Sequence, residues 1–142
     1  VSNALHLASY QHLVYSSIGY APIALGGTPL LVTGIANPLP LLEHLKAQYP
    51  DTELLAFPDH HVFTKLDIAQ IMQKAAQYSY VVTTEKDYMR LLQTPLVEQL
   101  GNKLHVLAIQ TDLGIDKEAF DRQILLYVSE NNRKLSTVNC PS

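Results

Sequence analysis

An acid and two imidazoles follow one another in this sequence, as Asp59, His60 and His61. They come shortly after an apolar run, residues 53–56, and they precede a helix-like pattern that begins at Lys65. A loop between a strand and a helix is where an open α/β sheet forms its binding crevice. Imidazole titrates near neutral pH, and a neighbouring carboxylate can fix its tautomer. The three residues are therefore typical of a general acid–base or orienting site.

Two other interpretations of these residues stay open. A metal site would need a further ligand from elsewhere in the chain, and Asp87 and Glu85 are the candidates. A small metal-dependent hydrolase would use Asp59, His60, His61 and Asp87. Adjacent histidines can also cap a helix or form a buried hydrogen-bonded pair, and a short motif by itself does not decide between these roles.

Polar groups also follow two other apolar runs. Residues 34–37 end in Asn37, which either caps a helix or contacts a ligand. Residues 83–87 close another strand-like run, and Lys86 could meet a phosphate beside the free N–H groups of a helix start. A mixed-charge first helical turn is the simpler interpretation of the same residues. The candidates in this second segment are Thr84, Glu85, Lys86 and Asp87.

Strand-like and helix-like patterns alternate through most of the chain. Short apolar runs predict strands at residues 30–35, 53–57, 80–84 and 104–109, and spaced apolar residues predict helices at 38–48, 65–78, 88–92 and 117–129. This order predicts a three-layer α/β/α sandwich with a mostly parallel sheet, preceded by an extended β-ribbon linker within residues 13–20. The loops after parallel strands meet at one edge, so we expect the three polar segments to share a rim.

The predicted organisation has three parts. Residues 1–27 form a linker or ribbon segment, in which residues 2–4 resemble a scar of tag removal and suggest an excised piece. Residues 28–129 form an α/β lobe, and residues 130–142 form a disordered polar tail.

Composition narrows the classes of function. The 142 residues are 47% hydrophobic and 16% charged, which is typical of a globular protein. A net charge of −3 offers no broad basic surface, so we expect no nucleic-acid partner. Cys140 is the single cysteine, which suits a reducing cytoplasm, and no apolar run is long enough to cross a bilayer. No Gly-x-x-x-x-Gly-Lys-Ser/Thr motif is present to cradle nucleotide phosphates.

Together, the segments 34–38, 57–64 and 83–87 resemble, in order and spacing, the C-terminal half of tetraacyldisaccharide 4'-kinase, the lipid A kinase of Gram-negative bacteria. The resemblance covers residues 14–129. It implies a P-loop kinase of two α/β/α lobes joined by a β-ribbon. Such an enzyme uses ATP and Mg²⁺ to phosphorylate the 4'-hydroxyl of tetraacyldisaccharide 1-phosphate.

The resemblance also implies partners and a location. The partner would be an N-terminal P-loop lobe of the same polypeptide, which would hold most of the ATP and Mg²⁺ contacts. This piece alone would then be inactive. The full-length enzyme would work at the cytoplasmic face of the inner membrane and would alone make the membrane contact.

Carried over residue by residue, the family's catalytic histidine falls on His60. It would pair across the cleft with an aspartate of the N-terminal lobe that acts as base toward the sugar hydroxyl. Asp59 would orient His60 or cap the loop, and no residue here would bind metal. The other residues placed at the cleft are Asn37, His61, Thr84, Glu85, Lys86 and Asp87. The alternative function is a stand-alone α/β module that binds a sugar, a phosphate or a metal.

Overall fold

A computed structural model of the protein describes residues 6, 8 and 11–136, with side chains to residue 132. The strands are β1 (Ser17–Tyr20), β2 (Pro29–Thr33), β3 (Glu53–Ala56), β4 (Tyr80–Thr84), β5 (Leu104–Leu107) and β6 (Ile109–Asp112). The helices are α1 (Leu39–Gln48), α2 (Lys65–Ala75), α3 (Glu85–Leu91), α4 (Leu96–Leu100) and α5 (Lys117–Ser136). None of the described helices is long and apolar enough to cross a membrane.

Four strands form a parallel sheet in the order β3-β2-β4-β5. In the centre of the sheet, Leu31 lies beside Leu54 on one neighbouring strand and beside Val82 on the other. The chain passes from β2 outward to β3, then returns past β2 to β4 and continues to β5. The direction of winding therefore reverses between β2 and β4, and ligands of open α/β sheets bind at the carboxyl ends of such a strand pair.

The sheet is covered on both faces, which confirms the predicted α/β/α sandwich. Successive strand residues point to opposite faces, so Leu30 and Val32 join one core while Leu31 joins the other. The first core contains residues of α2, α3 and α4, and the second contains Leu41 and Leu45 of α1. An uninterrupted apolar run in β2 is what a strand buried on both faces requires.

Local capping explains where the helices begin. Thr64 and Asp67 form a capping box at the start of α2: the Thr64 N–H donates to Asp67 Oδ2 over 2.7 Å, and the Asp67 N–H donates to Thr64 Oγ1 over 3.3 Å. Helix α1 begins at Leu39, one residue later than predicted. Asn37 contacts the start of that helix, because its Oδ1 accepts the Leu39 N–H over 3.3 Å.

The chain divides into two compact units, residues 20–109 and residues 1–19 with 110–142. Strand β1 pairs with β6 in a two-stranded sheet, so the extended segment before residue 20 is part of a ribbon, as expected. The prediction of one strand over 104–109 is wrong, since the structure has separate strands, β5 and β6, on either side of residue 108. The predicted lobe of residues 28–129 stays a prediction.

Two expectations concern the end of the chain. The predicted helix end near residue 129 is wrong, because α5 continues to Ser136 and residues 130–136 are helical. The rest of the expected tail, with Cys140, lies outside the described residues, as do residues 2–4.

Candidate functional site

His60 occupies an unusual backbone position in the loop between β3 and α2. Its φ is 58°, and it is the one described non-glycine residue with a positive φ. This left-handed conformation costs free energy for a residue with a Cβ, so surrounding contacts must hold it. The side chain is 75% exposed. An imidazole is thus presented to solvent from a constrained loop.

Two side chains contact the His60 ring. Arg90 Nη2 lies 3.2 Å from His60 Nδ1, and Asp59 Oδ2 lies 3.5 Å from His60 Nε2. Asp59 also accepts the His60 backbone N–H, over 2.9 Å, through Oδ1. The ring is therefore held by Arg90 on one side and lies beside the Asp59 carboxylate on the other, while most of its surface stays accessible.

Asp59 is held in turn by Lys86, whose Nζ lies 2.9 Å from Asp59 Oδ1. The hydrogen bond from Lys86 holds the pKa of the Asp59 carboxyl below its ordinary value, with help from the His60 backbone N–H. Because Lys86 is paired with this carboxylate, its ammonium is already partly neutralised. Its contact with Asp59 joins the start of α3 to the histidine loop.

Asp87 lies fully buried at the carboxyl ends of β2 and β4, where the winding reverses. Its Oδ2 accepts three hydrogen bonds: from Thr33 Oγ1 over 2.7 Å, from the Gly34 N–H over 3.0 Å and from Thr84 Oγ1 over 2.9 Å. Its Oδ1 accepts from Arg90 Nη1 over 3.1 Å. The carboxylate therefore fills the strand crossover point and ties β2 to the start of α3.

Arg90 is a site residue that the sequence interpretation missed. It links the buried Asp87 to the exposed ring of His60, and its Nη1 also donates to the Gly34 carbonyl over 3.4 Å. A signal was available: Asp87 and Arg90 are three residues apart, a spacing that pairs side chains on one helical face. Arg90 thus joins the hydrogen bonds around Asp87 to those of His60, Asp59 and Lys86 in one connected network.

Gly34 is needed for the close approach of the two loops. A Cβ at this position would lie 3.0 Å from the Pro58 carbonyl oxygen and 3.4 Å from Asp87 Oδ1. A side chain at this position would therefore require the Pro58 carbonyl or the histidine loop to shift.

His61 lines the same cavity as His60 and Arg90, but its side chain pairs with other residues. Its Nε2 lies 2.9 Å from Asp67 Oδ2, and its ring stacks on Phe57 at 5.0 Å and meets Phe63 edge-on at 5.3 Å. The Thr64 backbone N–H, then the Thr64 hydroxyl and then His61, lower the pKa of Asp67 to about 2. The contacts of His61 are those of a residue that fastens the loop to the cap of α2.

The remaining predicted residues divide between caps and surface. Thr84 is buried and caps α3, where its Oγ1 accepts the Asp87 N–H over 3.1 Å. Glu85 is exposed, and its side chain has no hydrogen bond to the part of the chain that the structure describes. Asn37 is exposed and contacts only the start of α1 within that part.

No metal centre forms among these groups. Within residues 11–132, no three His, Cys, Asp or Glu side chains are placed to hold one ion. Asp87 is surrounded by four donors, and His61 is turned toward Asp67. The residues of the hydrolase interpretation are therefore not arranged as one ligand set.

A cavity of about 200 Å³ opens beside His60 and Arg90. It is smaller than most ligand pockets and would hold only part of a drug-sized molecule. A second groove of about 660 Å³ continues from it between α2 and α4. Three residues line both spaces, namely Phe63, Gln93 and Thr94.

Comparison with known proteins gives consistent results. The sequence model of the tetraacyldisaccharide-1-P 4'-kinase family matches residues 9–129. Among similar proteins, the tetraacyldisaccharide 4'-kinase of Bacteroides thetaiotaomicron is 34% identical over 96% of this chain and 43% of its own length. The enzyme of Flavobacterium johnsoniae is 42% identical over 72% of this chain and 28% of its own length. The enzyme of Bacteroides fragilis is 31% identical over 94% of this chain and 42% of its own length.

No solved structure matches the chain. The chain spans less than half the length of the curated relatives it matches. Since the family match covers most of its residues, the chain belongs to the tetraacyldisaccharide-1-P 4'-kinase family.

Proposed function

We propose that this chain is the C-terminal part of an ATP-dependent kinase that phosphorylates the 4'-hydroxyl of tetraacyldisaccharide 1-phosphate in the lipid A synthesis of Gram-negative bacteria. Family membership supports the reaction class. The observation that carries the proposal is His60, an exposed imidazole held in a left-handed backbone conformation by the loop and by two side-chain partners. A constrained, accessible imidazole is suited to a role in proton transfer.

His60 would act together with an aspartate from the remainder of the polypeptide. The aspartate would accept the proton of the sugar hydroxyl, and His60 would orient it. Asp59, whose lowered pKa keeps it ionised, would hold the imidazole from the other side. Lys86 would balance the Asp59 charge, because their side chains are in contact.

ATP and Mg²⁺ would bind mainly outside this chain. The described residues contain no group of three metal-ligating side chains, and the sequence contains no P-loop. The part of the relatives that this chain does not match is where we propose that the nucleotide is held. The intact enzyme would then meet its lipid substrate at the cytoplasmic face of the inner membrane.

The decisive variant is His60→Asn in the intact protein, assayed for transfer of labelled phosphate from ATP to the disaccharide lipid. Asparagine tolerates a left-handed backbone, so the loop conformation is preserved while the imidazole is lost. We expect turnover to fall by about 10- to 100-fold, the range for loss of a partner that orients a reactive group. His12→Asn, at an exposed histidine, is the matched control and should leave turnover unchanged. Equal turnover of the two variants would refute the role of His60.

The same assay tests whether this chain suffices. We expect the isolated 142-residue chain to show no ATP-dependent phosphorylation of the lipid. Activity of the chain alone would contradict the proposal that ATP and Mg²⁺ bind mainly outside it.

A further inference from the structure

We propose that Arg90 is a positioning residue that fixes the His60 imidazole in the tautomer with its proton on Nε2, and that the buried Asp87 fixes Arg90 in turn. The importance of this arrangement for turnover rests on the proposed kinase function. The tautomer itself does not, because it follows from the hydrogen-bond partners of the ring.

Arg90 is anchored from the inside of the protein. Its Nη1 donates to Asp87 Oδ1 over 3.1 Å, and the Asp87 side chain is fully buried. The same nitrogen lies 3.4 Å from the Gly34 carbonyl oxygen. Asp87 is itself immobilised by three further donors, so the guanidinium is attached to the sheet rather than to a mobile surface.

The second terminal nitrogen of the guanidinium determines which ring nitrogen of His60 carries the proton. A guanidinium carries only donors, so His60 Nδ1 must accept the hydrogen bond from Arg90 Nη2 over 3.2 Å. In a neutral imidazole the proton then resides on Nε2. That N–H faces Asp59 Oδ2, but the separation of 3.5 Å is longer than a good hydrogen bond.

This arrangement gives His60 a definite chemical role. Nδ1 is occupied, so the resting ring has no free lone pair with which to remove a proton. Nε2–H is only weakly engaged, so it is available to donate to a closer oxygen of a carboxylate or a sugar. His60 therefore acts as a hydrogen-bond donor that orients an acceptor, and another group removes the proton from the hydroxyl.

The fork shape of arginine is essential to this role. One terminal nitrogen pairs with Asp87 while the other reaches His60, and a lysine ammonium cannot reproduce this two-ended geometry. Arg90→Lys keeps a positive charge near the buried Asp87 carboxylate. It should therefore leave the fold intact and remove the bond to His60 Nδ1.

The first test is the ring nitrogen spectrum of ¹⁵N-histidine-labelled intact protein, in which the His60 signals are assigned by their loss in His60→Asn. At a pH where the wild-type ring is neutral, we expect its single proton on Nε2. In Arg90→Lys we expect a mixture of the two tautomers. Arg122→Lys, at an exposed arginine of α5, is the matched control and should leave the pattern unchanged.

The second test is steady-state kinetics of the same variants. We expect Arg90→Lys to lower kcat by about 10- to 100-fold, as expected for loss of a partner that orients a reactive group, with little change in KM for the lipid. A proton on Nδ1 in the wild-type protein would overturn the proposal, and so would an unchanged tautomer in Arg90→Lys. The wild-type tautomer is read without Arg90→Lys, so this part of the test does not depend on the folding of the Arg90 variant. Normal turnover of His60→Asn would instead refute the proposed catalytic role and leave the tautomer result standing.

Discussion

Asp87→Asn tests whether the strand crossover point depends on a carboxylate. The substitution keeps the size and shape of the side chain and changes one oxygen into an NH₂ group. All four side-chain and backbone partners of Asp87 act as donors to it, through Thr33, Gly34, Thr84 and Arg90. An amide oxygen can accept hydrogen bonds in place of one carboxylate oxygen, but the NH₂ group cannot accept in place of the other.

The magnitude follows from the contacts. If the amide oxygen takes the place of Oδ2, three hydrogen bonds survive and the NH₂ group meets Arg90 Nη1 donor to donor. A hydrogen bond to a charged group contributes about 1.5–3 kcal/mol. Breaking a buried ion pair costs about 3–5 kcal/mol when the remaining charge is trapped. Arg90 is 23% exposed and can partly recover solvent. We therefore expect Asp87→Asn to lower the free energy of unfolding by about 2–4 kcal/mol.

The assay is urea unfolding of the 142-residue chain, followed by far-ultraviolet circular dichroism. The midpoint should fall while the slope with denaturant stays constant, because the surface exposed on unfolding is nearly unchanged. Asp51→Asn, at an exposed aspartate with no hydrogen bond to the described residues, is the control and should change stability by less than about 0.5 kcal/mol. A loss of similar size in both variants would refute the reasoning that Asp87 holds the sheet edge together.

Two further predictions concern the loops around the site. Gly34→Ala should lower the free energy of unfolding by about 1–3 kcal/mol, because its Cβ would press on the Pro58 carbonyl oxygen 3.0 Å away. In Gly26→Ala the nearest atom is a hydroxyl 3.6 Å away, so that variant should unfold near the wild-type midpoint. The Asp67 pKa is lowered from 3.8 to about 2, chiefly by the Thr64 N–H. The ionised carboxylate therefore stabilises the fold above pH 4, and this contribution disappears as the pH falls from 4 to 2. The stability difference between wild-type protein and Asp67→Asn, measured by urea unfolding at several pH values, should shrink over that range. A constant difference would contradict the lowered pKa of Asp67.

The elements of the sheet could be predicted because their signals are local. A continuous apolar run such as residues 30–32 can be buried only between two layers, so it predicts a central strand before any contact is known. Thr64 and Asp67 satisfy each other within one turn, so the start of α2 is also visible in the sequence. The rim followed from these elements, because parallel strands bring their following loops to one edge.

The ends of elements were less predictable. Helix α5 continues beyond residue 129 although its apolar spacing weakens there, since a helix that is already nucleated can add residues without a further nucleation cost. The break between β5 and β6 at residue 108 falls inside an apolar run and has no turn residue to mark it. The local sequence does not specify either boundary, because both depend on packing against other segments of the chain.

The sequence by itself determined the parallel α/β sandwich, the family and the loop that carries Asp59, His60 and His61. Only the tertiary structure decided what these residues contact. His60 and His61 are neighbours in the chain, but a left-handed turn at His60 directs one ring to Arg90 and the other to Asp67. Spacing along a chain specifies the periodicity of a strand or helix. It does not specify pairs formed between separate loops, because those depend on how the sheet brings distant segments together.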